Sequence, residues 1–472
     1  MTHAELRGDV LEVFGTGAAP DHVALVGARA RVAGTVHTGA DGWSVTIPLR
    51  AARWGGPELP VPAGDYRLEG VTVAPAIPVT LLDTLRISAS GDRVRIDAPI
   101  DPAYDSGEGQ AALERRYAAQ TGDVFEDAVF FESFYGRNAS CNPLALDAEI
   151  ARVAPGVTRY WSVVDLSVQV PEGAVPVVEG SPQWWRARGT SRLLIVNDWL
   201  RRRYVRRRGQ RVLQTWHGTP LKRLALHRPG FDPRRTVAVW RESRRWDALL
   251  AQNPYAARIL RSAYAFRRSV WVEGYPRDDV LSTGDGAATR AALGIAADER
   301  VILFAPTWRD DREHIVDFLD PVRLAEDADA VVLVRGHSRT LLPGEDAHGP
   351  RVIDVTGYPD TSQLMLAADA LVTDYSSIMF DFSVTGKPMY FLVPDMEHYR
   401  GELRGFYFDL AELAPGPLVR THDELRDALA AEDQAAFAER YRRWRARFNP
   451  RDDGSAAERV VARLLDQGWI GG

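Results

Sequence analysis

The residues best suited to chemistry lie in one short stretch, Gln214–Lys222, whose sequence is QTWHGTPLK. It contains the imidazole of His217, two threonine hydroxyls and the ammonium of Lys222. The stretch follows the apolar run Val212-Leu213, which predicts a strand, and functional side chains of open α/β sheets lie at the carboxyl ends of strands. An isolated loop histidine more often bonds only a neighbouring carbonyl, so the interpretation depends on what the other strand ends carry.

The ends of other apolar runs carry polar groups of the same kinds. Small hydroxyl residues, cations and a second histidine follow the runs that end at Phe304, Val334 and Val372, and these polar residues are Thr307, Arg309, His337, Asp374, Ser376 and Ser377. Their recurrence at one predicted sheet edge is hard to explain by packing. The sequence therefore predicts that His217 is part of a larger polar site.

Ser376 and Ser377 have a specific physical interpretation, because they precede the apolar segment Ile378–Phe382 and so lie at the start of a predicted helix. The first turn of a helix offers unpaired backbone amides, and both hydroxyls could donate to phosphate oxygens. The alternative is that a serine only caps an amphipathic helix. Without other signals, a serine pair favours this helix-cap interpretation. The other polar strand ends shift the interpretation toward phosphate binding.

The segment Arg201–Arg208 contains six arginines and is predicted to be a helix with exposed cations. A solvated helix face and a surface for an anionic partner explain it equally well. Nucleic acid is not favoured as that partner, because no aromatic residues are interleaved as stacking platforms for single strands. Anionic lipid headgroups or a phosphate polymer fit the charge.

Composition places the chain among soluble globular proteins, with 472 residues, 45% hydrophobic and 26% charged residues, and a net charge of -6. Cys141 is the single cysteine, so no intrachain disulfide can form and a reducing compartment is expected. The first residues lack the pattern of a signal peptide, and no apolar run is long enough to span a bilayer. Any contact with a membrane is expected at its surface.

The spacing of apolar residues changes along the chain. Up to about Pro99 short alternating runs predict a small antiparallel β-sandwich, with one strand over Arg29–Val36 and a hairpin turn at Ser90-Gly91-Asp92. Later runs are continuously apolar and separated by helix-length segments, which predicts parallel sheets with crossover helices. The principal runs are Ala128–Phe131, Arg159–Val164, Leu193–Val196, Val212–Gln214, Val270–Val272, Val301–Phe304, Ala330–Val334, Ala370–Val372 and Met389–Val393.

These patterns predict an α/β protein in which two Rossmann-like domains follow a small all-β, sandwich-like domain. The last helix is expected to begin at a capping Ser455 and to close across both Rossmann-like domains. The expected boundaries are residues 1–100 for the β domain, 101–121 for a linker, 122–268 and 269–450 for the two Rossmann-like domains, and 451–472 for the closing helix.

Several ordered motifs resemble the CDP-glycerol glycerophosphotransferase family of teichoic acid polymerases and primases. The resemblance extends over roughly residues 125 to 468, and its many ordered motifs are more specific than a single phosphate-loop pattern. The motifs are Phe131–Phe134, Gln214–Lys222, Ala305–Arg309, Thr373–Ser377, Tyr399–Asp409 and Asp453–Ser455.

The resemblance implies a GT-B-like fold and an enzyme at the cytoplasmic face of the cell membrane. It also implies transfer of a polyol phosphate from a CDP-activated donor, such as CDP-glycerol, to a hydroxyl of an anionic lipid-linked polymer, with release of CMP. No tightly bound cofactor is expected. No carboxylate cluster has convincing metal-ligand spacing, so no metal ligand is assigned, and a divalent cation is left open.

The resemblance also implies roles for single residues. His217 matches the family's base, which would take a proton from the acceptor hydroxyl, and His337 matches a second functional histidine. The expected donor-binding residues are Thr307, Arg309, Asp374, Ser376, Ser377 and Arg404, and the expected acceptor-binding residues are Trp216, Thr219 and Lys222.

Two other functions remain open from the sequence. The same fold could serve a glycosyltransferase that uses a nucleotide sugar, and product analysis would separate a phosphodiester from a glycosidic bond. The chain could also be a non-catalytic protein whose β domain binds a surface polymer. Neither the polyol of the donor nor the length of the product can be read from these residues.

Overall fold

The computed structural model describes residues 2–40, 42–120, 125–307, 318–336, 349–398, 405–431 and 435–471. The chain divides into two units. Unit 1 comprises Met1–Ala139, Thr158–Ser191 and Arg201–Arg207, and unit 2 comprises Ser140–Val157, Arg192–Leu200 and Arg208–Gly472. The domain boundaries expected from the sequence stay a prediction.

Alternation of buried and exposed residues organises the amino-terminal part of unit 1 into antiparallel sheets. In the strand Val10–Gly15, for example, buried residues occupy every second position, which places Leu11 and Val13 in the core. The strands are β1 (Thr2–Arg7), β2 (Val10–Gly15), β3 (Ala24–Gly27), β4 (Ala30–Ala33), β5 (Thr35–Gly39), β6 (Gly42–Pro48), β7 (Arg50–Ala52), β8 (Glu58–Pro60), β9 (Gly64–Glu69), β10 (Val73–Leu81), β11 (Arg86–Gly91) and β12 (Arg93–Asp97).

A four-stranded sheet in the order β1-β2-β6-β5 and a six-stranded sheet in the order β10-β11-β12-β9-β3-β4 share one apolar core. The prediction of an all-β, sandwich-like domain is therefore confirmed. The predicted hairpin turn joins β11 to β12, and Gly91 takes its positive φ of 62°. The single strand predicted over Arg29–Val36 is wrong, because the chain passes from one sheet to the other at Gly34. A Cβ there would lie 2.8 Å from Val45 Cγ1.

Two helices follow the sheets, α1 (Pro102–Asp105) and α2 (Gly107–Ala119). The Ser106 hydroxyl caps α2 by accepting a hydrogen bond from the backbone NH of Gly109 at 2.9 Å. Both helices lie within the predicted linker, residues 101–121. Unit 1 continues with three parallel strands in the order β15-β14-β13, namely β13 (Glu126–Glu132), β14 (Thr158–Val163) and β15 (Val175–Val178).

The arginine-rich segment is not helical, so the helix predicted there is wrong. Three of its arginines bond partners within unit 1. Arg201 and Arg202 both pair with the carboxylate of Glu179, and the buried Arg207 donates to the backbone carbonyl of Tyr117 at 2.7 Å. Arg203, Arg206 and Arg208 are exposed, as was predicted for some of these cations.

The first half of unit 2 contains four parallel strands in the order β16-β17-β18-β19. The strands β16, β17 and β18 are almost entirely buried, as expected for a parallel sheet covered by helices. The elements are α3 (Cys141–Val153), α4 (Pro182–Thr190, in unit 1), β16 (Ser191–Val196), β17 (Arg211–Gln214), α5 (Pro233–Ser243), β18 (Ala248–Ala251), α6 (Pro254–Ala263) and β19 (Ser269–Val272).

The second half of unit 2 contains a parallel sheet in the order β22-β21-β20-β23-β24-β25. The direction in which the strands are added reverses between β20 and β23, which is where open α/β sheets bind ligands. The elements are α7 (Asp279–Thr283), α8 (Ala287–Ala292), β20 (Arg300–Ala305), α9 (Pro321–Asp327), β21 (Ala330–Val334), β22 (Val352–Asp354), α10 (Thr361–Ala367), β23 (Ala370–Thr373), α11 (Ile378–Phe382), β24 (Met389–Leu392), α12 (Met396–His398), α13 (Leu410–Leu413), β25 (Leu418–Val419) and α14 (His422–Ala431).

The chain ends with α15 (Ala438–Phe448) and α16 (Ala456–Asp466), and α16 packs against α3. Ser455 is the N-cap residue of α16, as predicted, but its hydroxyl makes no capping hydrogen bond. The carboxylate of Asp279 instead accepts hydrogen bonds from the backbone NH groups of Ala456 and Ala457 at 2.8 and 2.7 Å. Among the described residues, no helix is both long and apolar enough to cross a membrane.

Candidate active site

The position of His217 follows from the pairing of β16 with β17. Val196 lies opposite Gln214, so Asn197 and the residues after Gln214 leave the sheet at the same edge. His217 Nδ1 lies 2.6 Å from the backbone oxygen of Asn197. Since a carbonyl oxygen can only accept, Nδ1 must carry the proton, and the lone pair of the neutral ring is on Nε2. In this tautomer the half-buried imidazole has its basic nitrogen at Nε2.

Neighbouring side chains hold the backbone of this loop in an unusual conformation. Trp216 has a φ of 53°, in the left-handed region, and its backbone NH donates to Gln214 Oε1 at 2.8 Å. Asn142 Nδ2 donates to the backbone oxygens of Thr215 and Trp216, each at 3.3 Å. The Trp216 ring stacks on His217 with the ring centroids 4.7 Å apart, and it is only 6% exposed.

Thr307 and Asp374 follow β20 and β23, at the point where the second sheet reverses. The buried carboxylate of Asp374 accepts from the backbone NH of Thr307 at 2.8 and 3.0 Å. Ser376 and Ser377 come next and are half-buried. The helix after them, α11, has five residues, so hydroxyls and backbone amides rather than a long helix dipole are the groups available to an anion.

The His217 loop touches this second group of residues directly. A Cβ added to Gly218 would lie 2.8 Å from Ser377 Oγ and 3.1 Å from Ser377 Cβ, so a glycine is needed for the close approach. Lys222 Nζ lies 3.4 Å from Thr307 Oγ1. The structure therefore brings His217, Lys222, Thr307, Asp374, Ser376 and Ser377 into one region of unit 2.

A short backbone pairing also holds the His217 loop against the second half of unit 2. Lys222 forms an isolated antiparallel bridge with Phe406. Arg223 donates its backbone NH to the oxygen of Gly405 at 3.1 Å, and Tyr407 donates to the oxygen of Leu221 at 2.9 Å. These bonds join the end of the His217 loop to the segment that follows the predicted donor residue Arg404.

The contact at Gly218 can be tested by a double-mutant cycle on stability. Gly218→Ala is expected to lower the free energy of unfolding by about 1–3 kcal/mol, because the new methyl group is forced against Ser377. Ser377→Ala removes the Oγ and should recover about 1 kcal/mol of that loss. Urea denaturation of both single variants and the double variant measures the coupling. Strictly additive effects would contradict the contact.

Three predicted site residues, His337, Arg309 and Arg404, lie outside the described residues, and their roles stay predictions. The neighbours of two of them are described. Gly336 donates its backbone NH to Thr356 Oγ1 at 3.0 Å, and the Gly405 contact is given above.

Two predicted acceptor residues are occupied by contacts within the protein. Thr219 is 1% exposed, and its hydroxyl bonds Gln252 Oε1 and accepts from Asn253 Nδ2 at 3.1 Å. Trp216 is covered by His217 on one side and by Tyr264 on another. Their acceptor roles stay predictions, whereas Lys222, which is half-buried, is better placed to meet a ligand.

A buried polar cluster lies beneath the loop. Gln252 Nε2 donates to carboxylate oxygens of Asp278 and Asp452, at 2.9 Å each. Both guanidinium–carboxylate bonds between Arg277 and Asp381 are shorter than 3.0 Å, at 2.9 and 2.8 Å. Burial raises the pKa of Asp452 to about 7 and holds the pKa of Asp278 well above its usual value. The cluster therefore retains a proton that exposed carboxyls would have lost.

Asn197, Gln252 and Asn253 were not among the predicted site residues, although some signals for them were present in the sequence. Asn197 directly follows a predicted strand, but its contribution is a backbone oxygen, which no residue type reveals. Gln252 and Asn253 follow β18, a strand of four residues that was not predicted. In the described part of the chain, no group of three or more His, Cys, Asp or Glu side chains is arranged to hold a metal ion.

Comparison with known proteins gives a consistent result. Residues 116–466 match the family model described as CDP-glycerol:poly(glycerophosphate) glycerophosphotransferase. A teichoic acid glycerol-phosphate transferase of Staphylococcus aureus is 36% identical over 381 residues, which are 72% of this chain and 93% of that protein. A teichoic acid poly(glycerol phosphate) polymerase of Bacillus subtilis is 37% identical over 329 residues, 65% of this chain, and this chain spans only 44% of the polymerase's length.

The structural comparison agrees. A solved structure of the wall teichoic acid polymerase TagF superposes with a TM-score of 0.69 at 30% identity, and the match covers 77% of this chain and 94% of that one. The predicted fold class, a GT-B-like pair of Rossmann-like domains after an all-β domain, is confirmed by this match and by the strand orders.

Proposed function

Since the chain belongs to the CDP-glycerol:poly(glycerophosphate) glycerophosphotransferase family, we propose that it transfers glycerol phosphate, or a related polyol phosphate, from a CDP-activated donor to an acceptor hydroxyl. The acceptor is a lipid-linked polymer of the teichoic acid or capsular type, and CMP is released. The observation that carries this proposal is the close approach of Gly218, next to the oriented His217, to Ser377.

The proposed base is Nε2 of His217. In the neutral ring Nε2 carries the lone pair, because Nδ1 donates to the Asn197 oxygen. As the acceptor oxygen attacks the β-phosphorus of the donor, Nε2 takes the hydroxyl proton. The new bond joins that oxygen to the β-phosphorus, and the bond from the β-phosphorus to the bridging oxygen breaks. CMP leaves with the bridging oxygen and the electron pair of that bond.

The donor pyrophosphate is proposed to bind at the reversal point of the second sheet. The hydroxyls and amides of Ser376 and Ser377 would contact its oxygens, and Asp374 would keep the Thr307 backbone in place. Arg309, His337 and Arg404 are proposed to add positive charge or hydrogen bonds there. A variant of TagF has been studied with CDPG soaked into it, which is consistent with a donor of this class for the family.

The acceptor is proposed to enter beside Lys222, whose ammonium lies next to Thr307 and would attract a polymer phosphate. An enzyme with a lipid-linked acceptor would work at the cytoplasmic face of the cell membrane, held there peripherally by anionic lipid. Nucleic acid is not a proposed partner. A requirement for a divalent cation is left unassigned, and no other cofactor is proposed.

Incubation with a panel of CDP-polyols and a lipid-linked acceptor tests the function. We expect CMP release that depends on the acceptor, and a product with a new phosphodiester bond. A glycosidic product formed from a nucleotide sugar would favour the glycosyltransferase, which the family assignment does not support. Binding of polymer with no CMP release from any CDP-polyol would favour the non-catalytic alternative.

The serine pair should affect donor use more than acceptor use. Ser376→Ala and Ser377→Ala are each expected to raise the KM for the CDP-polyol about tenfold, because one hydrogen bond to a charged oxygen is lost. The KM for the acceptor should change little. Ser362→Ala, a serine on α10, is the control. An unchanged donor KM in both site variants would remove the pair from the donor site.

A further inference from the structure

The backbone on both sides of His217 is held from below by buried side chains that the proposed chemistry does not use. On one side, Asn142 Nδ2 donates to the backbone oxygens of the two residues before His217, at 3.3 Å each. On the other side, the Thr219 hydroxyl donates to Gln252 Oε1. These three buried side chains are at most 1% exposed, so they lie beneath the surface that a substrate would meet.

The bonds before His217 lead from the loop to the helix of the serine pair. Asn142 Oδ1 accepts from the backbone NH of Arg277 at 3.3 Å. The guanidinium of Arg277 bonds both carboxylate oxygens of Asp381, at 2.9 and 2.8 Å. Asp381 lies on α11, the helix that begins directly after Ser377. We call the chain of bonds through Asn142, Arg277 and Asp381 the first connection.

A second connection reaches the same helix from the other side of the loop. Gln252 Nε2 donates to Asp452 Oδ2 at 2.9 Å, and Asn449 Nδ2 donates to the same oxygen at 2.9 Å. Asn449 Nδ2 also donates to the backbone oxygen of Phe380, in α11, at 2.8 Å. The second connection therefore runs from Thr219 through Gln252, Asp452 and Asn449 to α11.

The two connections resist any movement of the loop relative to α11. A buried polar group that loses its partner is costly, so a displacement that breaks either connection is unfavourable. The loop also needs such support, because Trp216 has a φ of 53° and a residue other than glycine keeps this conformation only where its surroundings enforce it. Asn142 supplies part of that enforcement by holding the Trp216 oxygen.

We propose that Asn142 and Thr219 are positioning residues, which set the distance between the imidazole of His217 and the serine pair. They would act through the backbone of the loop and would not contact a substrate. A base must lie within hydrogen-bond reach of the proton it takes, and a misplacement of about 1 Å can slow a reaction about 100-fold. For Thr219 this role would replace the acceptor contact predicted from the sequence. The effect on turnover rests on the proposed function, whereas the effect on the position of the ring does not.

Nitrogen NMR chemical shifts of the histidine rings test the position of His217 without any substrate, because they distinguish a protonated ring nitrogen from an unprotonated one. The signals of His217 are assigned as those lost in His217→Ala. We expect the wild-type ring to carry its proton on Nδ1, where it is donated to the Asn197 oxygen. Thr219→Val removes the hydroxyl at nearly constant volume and should shift the ring toward a mixture of tautomers. Thr219→Ser keeps the hydroxyl and should retain the wild-type shifts.

Steady-state CMP release tests the effect on turnover. Thr219→Val should lower kcat about tenfold or more and leave the KM values for donor and acceptor within about twofold, because the surface of the site is unchanged. Thr219→Ser should recover most of the lost kcat. Asn142→Asp keeps the oxygen that accepts from Arg277 but turns a second oxygen toward two carbonyl oxygens, so it should lower kcat at least as much.

The matched control is Thr289→Val. Thr289 is a buried threonine on α8, and its hydroxyl bonds Tyr358 rather than any residue of the two connections. The substitution removes a buried hydroxyl of the same kind as that of Thr219. It should therefore leave both kcat and the ring shifts of His217 at their wild-type values.

Unchanged ring shifts together with unchanged kcat in both Thr219→Val and Asn142→Asp would overturn the proposal. An equal loss in Thr219→Ser or in Thr289→Val would also overturn it, because the Thr219 hydroxyl would then not be the cause. Failure of both Thr219→Val and Asn142→Asp to fold would assign the two connections to stability alone. A wild type that releases no CMP from any CDP-polyol would instead contradict the proposed function, and the ring shifts would still test the position of His217.

Discussion

Replacing His217 by alanine is expected to lower kcat for CMP release by about 10² to 10⁴-fold, while the CDP-polyol still binds. The reason is that the substitution removes the base but leaves Ser376 and Ser377 in place. The imidazole is held by the Asn197 oxygen and by stacking on Trp216, so the substitution removes a ring of fixed position. Steady-state CMP release and calorimetric titration of the donor measure the two effects.

The matched control is His22→Ala. His22 is an exposed histidine in the β domain that bonds only Arg31 among the described side chains, so its replacement should leave kcat unchanged. A His217→Ala protein that releases CMP at the normal rate would exclude His217 as the base. If the His217→Ala protein lost both donor binding and turnover, the result would instead assign His217 a donor-binding role.

Replacing Arg277 by methionine is expected to lower the free energy of unfolding by about 3–5 kcal/mol. The side chains of Arg277 and Asp381 are 9% and 8% exposed, and removing the cation leaves a buried carboxylate without its counter-ion. Chemical denaturation at neutral pH measures the loss.

Two comparison variants make this prediction specific. Arg442→Met breaks an exposed pair with Glu439 and should cost less than about 1 kcal/mol. Arg277→Met/Asp381→Leu removes both buried charges and should be more stable than Arg277→Met alone, because no unpaired carboxylate remains at position 381. A double variant less stable than the single one would show that Arg277 matters for reasons other than its charge.

Buried apolar runs made much of the fold predictable. The runs ending at Gln214, Phe304 and Val372 are strands of parallel sheets, so the sequence correctly placed His217, Thr307 and Asp374 at strand ends. The strands β15 and β18 escaped, because Pro176 interrupts the apolar run of β15 and the residues of β18, Ala-Leu-Leu-Ala, include none that favours a strand.

What the sequence could not predict depends on three-dimensional pairing. The Asn197 oxygen reaches His217 through the register of β16 with β17, and the Gly218 contact depends on the second sheet. Thr219 has the residue type of a ligand-binding group, yet it is buried against Gln252. The arginine segment 201–207 is fixed by Glu179 and by backbone oxygens far away in the sequence, so its local composition predicted a helix that does not form.

An experimental structure of the His217→Ala protein with CDP-glycerol is the sharpest test of the proposed site, because that variant should bind the donor without consuming it. We expect the pyrophosphate to lie against the hydroxyls and amides of Ser376 and Ser377, with the β-phosphorus facing the position that the imidazole occupies in the native chain. Donor bound elsewhere on the chain, or with its β-phosphorus turned away from residue 217, would exclude His217 as the base of this site.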